Sequence, residues 1–307
     1  MDNVCHTLVG AAFGEAGLNR RTRFGRAALM VSANLPDVDV LVFATDMPSV
    51  VFRRGWTHGI GAQLLLPLML TALFLLLGRV ARSRPAGSAP PVHGGWLLLL
   101  SYVGVYSHVF LDYLNTYGVR LGTPFSWRWI YGDAVFIIDP WLWLVLATGI
   151  WLARRQRVPI PARAALLCAA CYIVAMLMSA RAARGIVENI WRDARGTEPR
   201  AMMVGPVPLS PFTREVIVDA GDHYELGTFS WWPTAVTFDP MQVAKNADRP
   251  EVAVARQAPN VRAFLVWSRF PFWTLRAGPD GTRVTVSDMR FAGRGRTFAA
   301  STVVPAK

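Results

Sequence analysis

The sequence predicts a mainly α-helical, membrane-embedded bundle of about four spans plus an N-terminal helical hairpin, followed by a small β-rich extramembrane domain. Three observations predict it. Hydrophobic residues make up 53% of the 307 residues, mean hydropathy is +0.30 and only 17% of residues are charged. That composition favours a bilayer over water as solvent. The apolar residues gather in long runs with cationic linkers between them. Past about residue 195 the runs give way to short β-prone segments bounded by Pro and Gly.

Each element follows from its own stretch of sequence. Four runs have the length of membrane spans: about 60–78, 94–111, 135–153 and 164–180. Two weaker segments, about 4–18 and 25–44, carry Glu15 and the Asp37–Asp39 pair. They suit a helical hairpin tucked against the spans better than independent crossing. Residues 1–194 form the predicted membrane-embedded domain and 195–307 the β-rich one. In the latter, REVIVDAG, HYELGTFSWW, PFWTLRAG and TRVTVSDMRF predict strands. GPDG between the last two predicts a hairpin turn, and 251–269 predicts helix interrupted at Pro259.

The net charge is +12, carried almost wholly by arginine. Short arginine clusters between apolar runs argue for membrane topology and against nucleic acid as a partner. Basic clusters occupy linkers 19–26, 79–93 and 154–163. If six segments alternate direction, these linkers share one side, which the positive-inside rule makes cytoplasmic. Trp127, Trp129, Trp141 and Trp143 then mark the opposite boundary. Asp2 and His6 stand where a cleavable signal peptide would be basic, so insertion is expected through uncleaved segments. Cys5, Cys168 and Cys171 make no disulfide framework or zinc ribbon and are expected as buried small apolar residues.

The same alternation gathers seven scattered ionisable residues at the non-cytoplasmic ends: His6, Asp37, Asp39, His58, His108, Asp112 and Asp139. Such groups are costly near hydrocarbon, and imidazole with carboxylate is a donor set that zinc accepts. In SHVFLD, His108 and Asp112 are spaced i, i+4 and share a helix face. In LPDVD, Pro36 ends or kinks the preceding helix, leaving Asp37 and Asp39 as ligands or caps. In RGWTHG, Gly55 and Gly59 let the backbone turn beside His58. Asp139 precedes Pro140, where it caps a helix or orients a ligand. Asn115 and Asp133 are further polar candidates at that end, whereas His93 and His223 lie away from it.

The series CHTLVGAAFGEAGL, LPDVD, RGWTHG, SHVFLDYLNTYGVRLGTPFS and DAVFIIDPW resembles the YdjM-like family of inner-membrane metal-dependent hydrolases. The likeness covers about residues 1–150 in order, and LDYLNTYGVR is its most specific stretch. It implies a helical membrane enzyme, distantly similar to zinc-dependent phospholipases C, of the bacterial inner membrane. By position it implies metal binding at His6, Asp37, His58, His108 and Asp112. Many members carry His at the position of Arg53 and Ser at that of Gly59.

Together these readings lead to an expected function. One to three Zn²⁺ ions would activate water against a lipid or lipid-linked ester or phosphoester. Asp39 or Asp139 would be general base or orient a ligand, and Arg53, Arg54 or Arg120 would hold a phosphate. Two other readings use the same residues differently: a transporter or proton relay, and a membrane scaffold whose β domain binds a partner.

Overall fold

The computed structural model describes residues 1–44, 52–81, 91–292 and 298–306. The chain forms two compact units, Met1–Leu41 with Arg53–Ser179, and Val42–Phe52 with Ala180–Lys307.

In the first unit, α1 (Asn3–Glu15) and α2 (Gly25–Ser32) make the expected hairpin. Asp2 caps α1 by accepting from the amides of Val4 and Cys5. Pro36 keeps α2 from continuing, and Leu35–Ala44 forms a 3-10 segment that carries both aspartates. Four longer helices follow: α3 (Ile60–Ala81), α4 (Gly94–Tyr113), α5 (Pro140–Gln156) and α6 (Ile160–Arg195).

Among the described residues, three helices are long and apolar enough to cross a membrane: Ile60–Val80, Gly94–Tyr113 and Ile160–Arg195. The remaining apolar run, 135–153, starts as helix only at Pro140, so α5 has 17 residues. Its first part is spent in a loop, where the amides of Ala134 and Val135 bond the Leu114 carbonyl. Leu65, Met69, Leu76 and Val80 of α3 are exposed, as are Leu167 and Met178 of α6. An outward apolar face of that kind suits contact with lipid. Cys168 and Cys171 lie exposed on α6, so the expectation of burial holds only for Cys5.

A core of Ala28, Leu29, Leu70, Phe74, Leu97 and Leu100 joins α2, α3 and α4. The first unit is polarised along these helices. At one end Arg154 and Arg26 each bond Glu15 at 2.8 Å. There too Arg163 bonds the Ala16 carbonyl at 2.9 Å and Arg21 stacks on Trp96 at 5.1 Å. The Arg23 amide bonds the carbonyl of Pro91. Parts of all three basic linkers therefore meet at one pole. His108 and Asp112 sit near the other end of α4, roughly 18 and 24 Å along the axis from Trp96.

The second unit holds two antiparallel sheets. The first has strand order β1-β2-β3-β4, from β1 (Ala201–Pro206), β2 (Thr213–Asp219), β3 (His223–Trp231) and β4 (Thr234–Ala244). The second has order β5-β6-β7, from β5 (Pro271–Gly278), β6 (Gly281–Asp288) and β7 (Ala299–Val304). Helices α7 (Pro250–Ala255) and α8 (Pro259–Trp267) lie between them in sequence. Pro259 begins α8 rather than breaking it, because its missing N–H costs nothing in a first turn. Three strands were not legible as such: β1, β4 and β7. All three are edge strands, where Pro240 is tolerated and patterning is relaxed. Ala183, Val187 and Trp191 of α6 pack on Met202, Val216 and Phe229 in a core of this unit.

Candidate metal centre

Local structure brings the ligands in from separate elements. Gly104 lies on α4, one turn before His108, and a Cβ there would collide with the Ser32 side chain. The missing side chain lets α4 approach the end of α2. That approach places the Ala33 carbonyl 2.7 Å from His108 Nδ1. On the other side, the Arg53–His58 turn is held by Asp39, which accepts from the Arg54 amide at 2.8 Å and the Thr57 hydroxyl at 3.0 Å. Gly55 in that turn packs so closely on the Arg120 guanidinium that no larger residue fits.

Asp37, His58, His108 and Asp112 converge. Each offers one ligand atom, these atoms all lie within 4.8 Å of one another, and all four residues are buried. Such spacing suits an ion with ligand bonds of about 2 Å. The hydrogen bonds set the tautomers. The Ala33 carbonyl can only accept, so His108 carries its proton on Nδ1. Thr57 spends its single proton on Asp39 and therefore accepts from His58 Nδ1, at 3.0 Å. Both histidines thus turn an unprotonated Nε2 into the cluster. Those two nitrogens lie 3.1 Å apart, and Asp112 Oδ2 lies 3.1 Å from that of His58. Lone pairs at that separation repel unless a cation lies among them. Burial pushes the His58 pKa below its ordinary value, which favours the neutral imidazole that a metal requires. The buried Asp37 Oδ1 has no hydrogen-bond partner among the described residues. The donor set and its unsatisfied atoms fit a divalent metal ion.

The remaining expected residues fall around this group. His6 stacks on His108 with ring centroids 3.8 Å apart, and its Nε2 is 3.4 Å from Asp112 Oδ1. It lies against the four rather than among them, and neither ring nitrogen makes a hydrogen bond among the described residues. Asp39 stands one step back, gripping the turn that carries His58. Asp139 caps α5, accepting from the Leu142 amide at 3.0 Å and the Tyr172 hydroxyl at 2.9 Å. Of the three arginines expected at a phosphate, Arg53 is partly exposed and lies 3.8 Å from Asp37. Arg54 is buried, bonding Asp112 Oδ1 and Asn115 Oδ1 at 3.0 Å each and stacking on Tyr117. The Met1 amino group also bonds Asp112 Oδ1. Arg120 is buried between Trp127 and Trp129. His223 belongs to the second unit, where it pairs with Asp222. Sequence reasoning missed Thr57, whose place directly before His58 was the available signal, and the Ala33 carbonyl, which carries none.

The chain is 25% identical over 316 residues to the uncharacterized protein YfhP of Bacillus subtilis (strain 168), covering 96% of this chain and 88% of that protein. No solved structure matches it. The model of the YdjM inner membrane protein family matches residues 1–183, which include every ligand of the buried His/Asp group, and the chain belongs to that family.

Proposed function

We propose that this membrane protein is a metal-dependent hydrolase acting on a lipid or lipid-linked ester or phosphoester. The observation that carries the reading is the pair of buried, unprotonated Nε2 atoms facing each other beside two carboxylates. Asp37, His58, His108 and Asp112 would hold one divalent ion, and His6 would serve a second. Zinc suits such nitrogen and oxygen donors. When bound, the metal would supply Lewis acidity, activating water near neutral pH and polarising the scissile group.

The chain's own residues have definable tasks. Asp39 and Thr57 orient His58 and keep its Nε2 deprotonated. Arg54 compensates the charge of Asp112. Arg53, partly exposed beside Asp37, is placed to receive an anionic group of a substrate. Asp39 already accepts from Arg53, the Arg54 amide and Thr57, and Asp139 caps α5, so both act by positioning rather than as general base. The inner membrane is the proposed location, with the cluster at the non-cytoplasmic face, because the arginine-rich pole lies at the other end of the unit. Gathering of Asp37, Asp39 and Asp112 at one pole, with Glu15 at the other tied up by two arginines, favours this reading over an ion path, which needs such groups across the membrane.

The test is the metal content of the full-length protein purified in detergent, read alongside chelator-sensitive hydrolysis of vesicle phospholipid. Wild type is expected to hold stoichiometric metal, and His58→Ala, His108→Ala and Asp112→Ala to lose it together with hydrolysis. Wild-type protein without stoichiometric metal sinks the proposal. Metal-dependent flux across liposomes without hydrolysis would replace it with transport.

A further inference from the structure

The arginine-rich pole of the first unit contains a groove of about 680 Å³, separate from the metal centre. Phe24, Ala27, Met30 and Val31 give it an apolar wall along α2, and Arg23 and Arg26 stand at its rim. Val31 is 44% exposed, so the wall is open to its surroundings. Arg23 lies over the Phe24 ring at 5.2 Å, which holds the cation against the apolar surface. The surroundings are strongly cationic. Arg21 stacks on nearby Trp96, while Arg154 and Arg163 reach the end of α1. Glu15 faces this pole with Arg26 and Arg154 both bonded to it.

Charge and shape together select the occupant. A small soluble anion would satisfy the arginines and leave the apolar wall wet. A neutral lipid would cover the wall and leave the net positive charge of the pole unanswered, since Glu15 is one carboxylate shared by Arg26 and Arg154 and does not reach Arg23. An anionic phospholipid does both, with its headgroup at the rim and its chain along Met30 and Val31. A chain with three membrane-length apolar helices is surrounded by such molecules. We propose that this groove is a binding site for an anionic phospholipid of the bilayer. The proposal does not depend on the metal centre or its chemistry.

Native mass spectrometry of the full-length protein in detergent tests it, with phosphatidylglycerol and phosphatidylcholine added in equal amounts. Wild type is expected to retain phosphatidylglycerol about tenfold over phosphatidylcholine. The double change Arg23→Ala, Arg26→Ala should remove that preference. Val31→Trp, which fills the groove and leaves the charges in place, should lower phosphatidylglycerol retention with an unchanged unfolding temperature. Excess glycerol 1-phosphate should not displace the lipid from wild type. Equal retention of the two lipids by wild type overturns the proposal. So does undiminished preference in the double variant, or displacement by glycerol 1-phosphate, which would make the groove an anion site rather than a lipid site.

Discussion

Two buried carboxylates, one in each unit, show what separates a structural charge from a functional one. Asp288 in the β unit is saturated. Its Oδ1 accepts from the Arg290 amide and Nε, and its Oδ2 from the Ser268 hydroxyl, the amides of Arg269 and Phe270, and an Arg290 terminal nitrogen. Arg290 is in turn stacked on Trp267 at 4.5 Å. Asp112 in the helical unit is equally buried, and its Oδ1 accepts from Arg54 and the Met1 amino group, yet the groups gathered around its Oδ2 do not satisfy one another. Two imidazole lone pairs face its Oδ2, and among the described residues His6 has no hydrogen-bond partner and neither has Asp37 Oδ1. Burial alone therefore does not mark a site. Several imidazole and carboxylate donors left incompletely paired at one point do, because folding alone gives no reason to tolerate their combined cost.

Changes at the two carboxylates test this difference directly. The largest expected effect is at Asp288. Replacing it with Ala strands the buried Arg290 guanidinium and should cost about 3–5 kcal/mol, read as denaturant unfolding of the β unit. Asp288 also predicts a pH dependence. Burial pushes its carboxyl up, but Arg290 and the hydrogen bonds prevail and hold it below its ordinary value of 3.8. A depressed folded-state pKa stabilises above the unfolded value, and that contribution is lost as pH falls below about 3.8. The fall of β-unit stability with pH in that range should accordingly be shallower in Asp288→Ala, although the variant is less stable throughout. If the variant unfolds like wild type, the saturated pair is not the structural element described.

A smaller effect is expected one step behind the ligands. Asp39→Asn or Thr57→Val should weaken metal affinity about 10–100-fold, with modest change in stability. Isothermal titration of the stripped protein would measure it, and unchanged affinity would show that His58 is oriented by other means. The smallest effect belongs to Asp139. Asp139→Ala removes the cap of α5 and should cost about 0.5–2 kcal/mol while metal content stays at the wild-type level. Metal loss there would move Asp139 back toward the centre.

Much of this was legible before the structure. The three apolar helices, the basic linkers meeting at one pole and the His/Asp group at the other all follow from hydropathy and arginine placement along one dimension. His108 and Asp112 were a spacing argument on one helix, and the structure places both in the cluster. Three of the four edge strands, β1, β4 and β7, escaped because one-sided pairing relaxes the alternation that identifies a strand, whereas β5 was legible. Arg54 and Arg120 were read as substrate contacts because a sequence cannot show a guanidinium buried against a carboxylate or between two indoles.

What the sequence determined by itself was the inventory of donors and the end of the helices at which they gather, since composition and charge patterning act locally and additively along the chain. Only the tertiary structure decided which donors share a point and which hold the others in place. That division depends on close approaches between distant segments. The loss of a side chain at Gly104 brings the Ala33 carbonyl onto His108, and Asp39 reaches across to the turn that carries Thr57 and His58. Contacts of a few ångströms between residues dozens of positions apart set the tautomers, and the tautomers make the centre.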